Sequence, residues 1–149
     1  MRYPVFLAFT FSILLSMPGQ ARDTRHLLPL SEALSSADFK EKLDPDIRLY
    51  FGDAPHPQPE KRLGEFVSNR KTNSVGKSDQ EACRWVLLSA LLSLQKRAAA
   101  EGGNAVVNIR SYYKKKTFSS DTEYECHAGA VVAGVALKGE VVRLHSSTL

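Results

Sequence analysis

The hydrophobic pattern changes period several times along this chain. Val5 to Met17 is a run of 13 residues broken only by Thr10, Ser12 and Ser16. A helix crossing the hydrocarbon core needs about 20 residues, so the run fits the apolar region of a secretory leader. Met1-Arg2 supplies the cationic start, Pro18 and Gly19 stop the helix, and Gly19 and Ala21 place small residues on the leader side of a cut after Ala21. An uncleaved anchor is the alternative, but no long apolar run or basic stop-transfer follows. No cysteine lies near the cut to take a lipid. The reading is a signal peptide over 1–21, an N-terminal segment over 22–45 and a single domain over 46–149.

Leu30, Ala33, Leu34 and Ala37 recur at helical spacing behind Ser31, a candidate cap. They predict one short amphipathic helix ending before Asp44-Pro45. Ile47 to Phe51 alternates as a strand and Gly52-Asp53 ends it. Pro55, Pro57 and Pro59 donate no amide hydrogen and predict a stiff extended loop. Gly64 to Arg70 is a second, more polar strand, closed by Asn73-Ser74-Val75-Gly76.

The strongest periodicity runs from Asp79 to about Glu101. Ser78 caps it, with Glu81 at the capping-box spacing, and Cys83, Leu87, Ala90, Leu91, Leu94 and Ala98 form one stripe. Trp85, Leu88 and Leu92 widen the stripe. Lys96 and Arg97 suit the negative pole of the helix, and Gly102 or Gly103 supplies the left-handed end. Asn104 to Tyr113 and Thr122 to Ala128 read as the two arms of a hairpin, with Lys114-Lys115-Lys116 and Ser119-Ser120-Asp121 at its far end. Gly129 to Leu144 is a last strand or pair of strands, bent or bulged at Gly134 and Gly139. The predicted architecture is α+β: an antiparallel sheet of about four or five strands, the long helix packed on one face, and a short N-terminal helix.

Removing 21 of 149 residues leaves 128, one domain's worth, and drops the net charge from +4 to +3 with Arg2. This modest positive excess suits anionic headgroups or polyanions without specifying either. The two cysteines, Cys83 and Cys126, read first as a disulfide in an oxidising compartment. Helix and strand rises place Cys83 roughly 28 Å from the helix end, level with Tyr112 or Tyr113, and the hairpin places Cys126 opposite Tyr113. Two buried thiols, or a reactive or metal-binding pair, are the alternatives.

Gly76-Lys77-Ser78 resembles the end of a phosphate-binding loop, but Lys71 stands where that pattern requires glycine, so ATP is not an expected ligand. Glu123, Glu125 and His127 alternate on one strand face, spaced about 7 Å apart, too widely for one metal ion, and read as a solvent face. His26, His56 and His145 sit singly in loops or termini. Asp44 and Asp46 flank Pro45 as turn formers. No nucleophile elbow or zinc-protease helix is present, so no catalytic residue, cofactor or metal is expected. Tyr112-Tyr113-Lys114-Lys115-Lys116 is a basic run with aromatic neighbours, a candidate contact for an anionic surface. A solvated hairpin end is its plainer reading. Export removes the genome as a partner and leaves lipid or lipopolysaccharide phosphate.

Glu81 to Leu144 resembles a family of small exported proteobacterial proteins of unknown function, which often carry the label "excinuclease ATPase subunit". The likeness rests on Ala82-Cys83-Arg84-Trp85, Gly102 to Ile109, Tyr124 to Gly129 and Gly134 to Gly139, extended by Asp53 to Pro57 and Lys71-Thr72-Asn73. The failed phosphate loop and the leader argue against the ATPase label here. The junction Ala98 to Val107 is also similar to YbjQ-like proteins and to the outer-membrane sensor lipoprotein of the Rcs pathway. The missing lipid-attachment cysteine, and two cysteines rather than four, keep a lipid-anchored signalling role from carrying over. No ligand set matches a metal site. The expectation is therefore a non-catalytic periplasmic domain, with no transmembrane segment once processed, that binds an envelope protein or an anionic surface. A metal- or small-ligand-binding protein is the alternative.

Overall fold

Strand β6 (Val132–Leu144) organises the molecule. The computed structural model describes residues 21–145, so the expected signal peptide, apart from Ala21, and the last four residues lie outside the described part. Along one edge β6 pairs antiparallel with β3 (Pro59–Asn73) over its whole length. Along the other it pairs first with β5 (Glu123–Ala128), through Ala133 and Gly134, and then with β4 (Ala105–Ser111). β5 continues to β1 (Thr24–Pro29), and β4 to β2 (Arg48–Phe51).

The six-stranded sheet is mixed, because β2 and β4 run parallel. The expected purely antiparallel sheet is corrected on this point. β3 and the long helix α3 (Asp79–Ala100) intervene between β2 and β4, and such a crossover lets the chain return in the same direction. β3 is far longer than Gly64 to Arg70. As an edge strand exposed on much of its surface it shows no clean alternation, and its register comes from β6.

The helix α3 behaves as its pattern predicts. Ser78 Oγ accepts the Glu81 amide at 3.1 Å, and Gly102 turns the chain out at φ +79°. Cys83, Leu87, Ala90, Leu91, Leu94 and Ala98 are all buried against the sheet. Trp85 does not join them: it is exposed, with Lys42 Nζ 5.1 Å from its ring centre. Gln95 is buried in the same face. Its amide donates to the carbonyls of Asp44 and Ile47 and accepts the Asp44 amide, tying the turn before β2 to the helix.

Three further expectations change. The N-terminal segment opens with β1 rather than only a helix, and the helix breaks at Ser36 into α1 (Leu30–Ser35) and α2 (Ala37–Lys42). Ser36 is extended at ψ 151° and bonds back to the Ala33 carbonyl, which ends α1. Ser31 does not cap; Pro29 holds that position. β4 and β5 form no hairpin: they contact β6 side by side, and Cys126 pairs opposite His26 of β1, not Tyr113. Gly134 sits in regular pairing, whereas the bulge opposite Gly139 belongs to β4, where Asn108 adopts φ +50°. A Cβ on Gly139 would meet Val106 Cγ1 at 2.6 Å.

The turn Gly102-Gly103-Asn104 has a structural explanation. A Cβ on Gly103 would lie 2.6 Å from Val141 Cγ1 and 2.8 Å from the Val142 carbonyl. The Asn104 side chain donates to the Leu144 carbonyl and accepts its amide, closing the end of β6 as a strand neighbour would. The glycine-asparagine-alanine-valine junction therefore packs helix against sheet.

Candidate anion-binding groove

β4 ends at Ser111, and the chain does not extend the ladder. Ser111 and Phe118 exchange backbone hydrogen bonds of 2.8 and 3.1 Å, pinching off the segment between them. Inside it, Tyr113–Lys115 forms a single 3-10 turn in which Lys114 and Lys115 take φ +49° and +62°. Two consecutive left-handed lysines are strained backbone, held by their surroundings. The fold-back lays Tyr113 and Phe118 over the face of β5 that the alternation assigned to solvent.

Glu125 is accordingly buried and His127 half-buried, a correction to that solvent face. The Tyr113 ring stacks on the His127 imidazole, with centroids 3.5 Å apart and planes 9° from parallel. Arg25, opposite His127 on β1, donates to Glu125 Oε2 at 2.8 Å through Nε. His127 reaches Glu125 Oε1 with Nε2 at 3.0 Å and Asp23 Oδ1 with Nδ1 at 3.2 Å. Both partners are carboxylate oxygens, one from each side of the ring. Asp23 also accepts from Tyr113 Oη at 3.1 Å and Lys114 Nζ at 3.4 Å. Burial works against its charge, but those bonds outweigh it and hold the carboxyl below its ordinary value. Burial first, and the bond to Asp23 second, raise the Tyr113 phenol.

A groove of about 480 Å³ opens above this network, walled by Tyr113 and Phe118 and edged by Arg25, Lys114 and Lys116. The Arg25 guanidinium lies 5.2 Å from the Phe118 ring centre. Both carboxylates are paired, Glu125 with Arg25 and His127 and Asp23 with Lys114 and His127, whereas Lys116 has no ion-pair partner among the described residues. The charge left facing the opening is positive.

The five-residue basic run thus divides. Tyr113, Lys114 and Lys116 line the groove. Tyr112 turns to β6, where Lys138 Nζ stands 5.0 Å from its ring centre, and Lys115 is exposed outside the groove. Asp23, Arg25 and Phe118 were not singled out in the sequence. Asp23 and Arg25 sit in a stretch with no local pattern, and Phe118 is a lone aromatic in a polar stretch. His26 is not isolated in a loop: it lies on β1, 2.8 Å from Asp79.

Cys83 and Cys126 are joined by a disulfide, with their Cα atoms 5.8 Å apart and both residues fully buried. Lys77 Nζ bonds to the Asn73 carbonyl and Lys71 lies in β3, so the would-be phosphate loop is a strand end running into a helix cap. Asp46 donates its amide to the Asp44 carboxylate as a turn former does. Among the described residues no group of three or more His, Cys, Asp and Glu side chains is arranged to hold a metal ion, and no helix is long and apolar enough to cross a membrane. No family model, curated protein or solved structure matches the chain.

Proposed function

We propose that this chain is an exported, non-catalytic domain that binds phosphate-bearing anions of the cell envelope in the groove beneath Tyr113 and Phe118. The observation that carries the reading is Lys116. It stands at a concave opening of mixed aromatic and cationic walls without a carboxylate of its own, while Asp23 and Glu125 are already paired with Lys114, Arg25 and His127. An anion entering there meets Lys116 directly and the outer sides of Arg25 and Lys114. The aromatic walls suit an organic group behind the phosphate. The strained lysines support the same reading, since strained backbone gathers at binding sites.

Calorimetric titration with inorganic phosphate and with glycerol phosphate tests it. Saturable binding that weakens as salt is raised is expected, with the organic phosphate bound more tightly. Lys116→Ala removes one charge-assisted contact and should weaken binding about tenfold while leaving the melting temperature unchanged, because the side chain is exposed. Equal heats from wild type and Lys116→Ala would contradict the site.

A further inference from the structure

The turn joining β5 to β6 and the turn leaving β3 for α3 lie side by side at one end of the sheet. The Ser74 amide donates to the Val131 carbonyl at 2.9 Å, Ser74 Oγ bonds to the Gly129 carbonyl, and Asn73 pairs with Val132. These two turns and the first residue of β6 carry Val75, Val131 and Val132, which are 59%, 61% and 46% exposed. They are three of the six large apolar side chains that stand exposed among the described residues, so half of that set is gathered at one tip. Single exposed apolar residues need no explanation; a gathered group does.

Lys71 and Lys77 flank the valines, and neither is in an ion pair among the described residues. Asp79, two residues after Lys77, is engaged by both Arg22 and His26 at 2.8 Å. The tip is therefore apolar with a cationic rim.

The start of the described chain lies at this same tip. Arg22 Nη2 donates to the Gly129 carbonyl at 3.0 Å, and its backbone lies so close that a Cβ on Gly129 would meet the Arg22 carbonyl oxygen at 2.6 Å.

We infer that this tip docks the domain on an anionic phospholipid bilayer, with Val75, Val131 and Val132 dipping into the interface and Lys71 and Lys77 meeting lipid phosphates. Apolar insertion combined with cations at the headgroups is how peripheral proteins hold such a surface. The surface is separate from the groove and does not depend on it.

The test uses the processed protein purified from the producing cell. It is mixed with vesicles of phosphatidylcholine alone and with vesicles that also contain phosphatidylglycerol, and bound protein is measured by sedimentation. Binding only to the anionic vesicles, weakened by salt, is expected. Lys71→Ala and Lys77→Ala should each lower the partition coefficient about fivefold. The double variant Val75→Asp/Val131→Asp should lower it about tenfold or more, with the melting temperature retained because both side chains are exposed. No binding to anionic vesicles, or undiminished binding by the valine variant, overturns the inference. Loss of vesicle binding in Lys116→Ala with the valine variant unaffected assigns the lipid to the groove and likewise overturns it. Loss in the valine variant alone upholds the tip, whatever phosphate titration says of the groove.

Discussion

At the residue scale, a few side chains decide local geometry by what they leave no room for or what they tie together. Gly103 is one, with Val141 and the Val142 carbonyl crowding the place of its absent Cβ. Gly103→Ala should cost about 2 kcal/mol, an overpacking loss measurable by chemical denaturation. Asp79 is another. The hydrogen bond from Arg22, chiefly, and that from His26 hold its carboxyl down from 3.8 to about 2 against the opposing effect of burial. A depressed carboxyl stabilises the fold above its unfolded value and loses that contribution as pH falls through the folded one. Wild type should therefore lose stability between pH 3.8 and about 2 more steeply than Asp79→Asn. The difference should be small, since Arg22 is 47% exposed and solvent screens the pair. Coincident acid-unfolding curves for the two proteins would remove Asp79 from the account. Ser78 and Gly102 were legible in the sequence because capping chemistry is local. Glu125 was not, because its burial depends on Tyr113 and Phe118 folding back from another strand.

At the element scale, α3 was readable from its stripe and its caps, and β2, β4, β5 and β6 from their apolar runs. The pairing of those strands was not. Nothing between Tyr112 and Thr122 distinguishes a hairpin from a wide fold-back. The outcome is set by two left-handed lysines and the Ser111–Phe118 pinch, which send β5 across to β6 and β1. β1 was missed because six residues ending in proline carry too little pattern, and its strand form comes from pairing with β5. The cysteines nevertheless meet, since β5 lies under the start of α3 by this different route. The bond joins residues 43 apart, and loop closure of that length is worth about 4 kcal/mol in the chain-entropy account. Cys83→Ala and Cys126→Ala should lower the melting temperature by similar amounts, and the double variant should be little worse than either. Additive losses would mean that the two sites pack independently and that the link contributes nothing.

At the scale of the whole molecule, one curled sheet separates two jobs. The face under α3 holds the principal core, closed by the disulfide and by Gln95. The region beyond β5 is covered only by the Tyr113 to Phe118 fold-back, and there the aromatic and cationic groove opens. The α+β class and the long helix were legible because they follow from periodicity. The groove was half legible: the basic aromatic run marked one wall, while Asp23, Arg25, Glu125 and His127 come together only through sheet order. The central claim is that an anion sits in this groove. The most direct measurement is a nuclear magnetic resonance titration of the isotope-labelled, processed protein with glycerol phosphate. Saturable shifts at Lys114, Lys116, Phe118 and the His127 ring are expected, with Tyr112 and Lys138 on the other side unmoved. Shifts scattered over the lysines of β3 and α3, or none at the His127 ring, would contradict it.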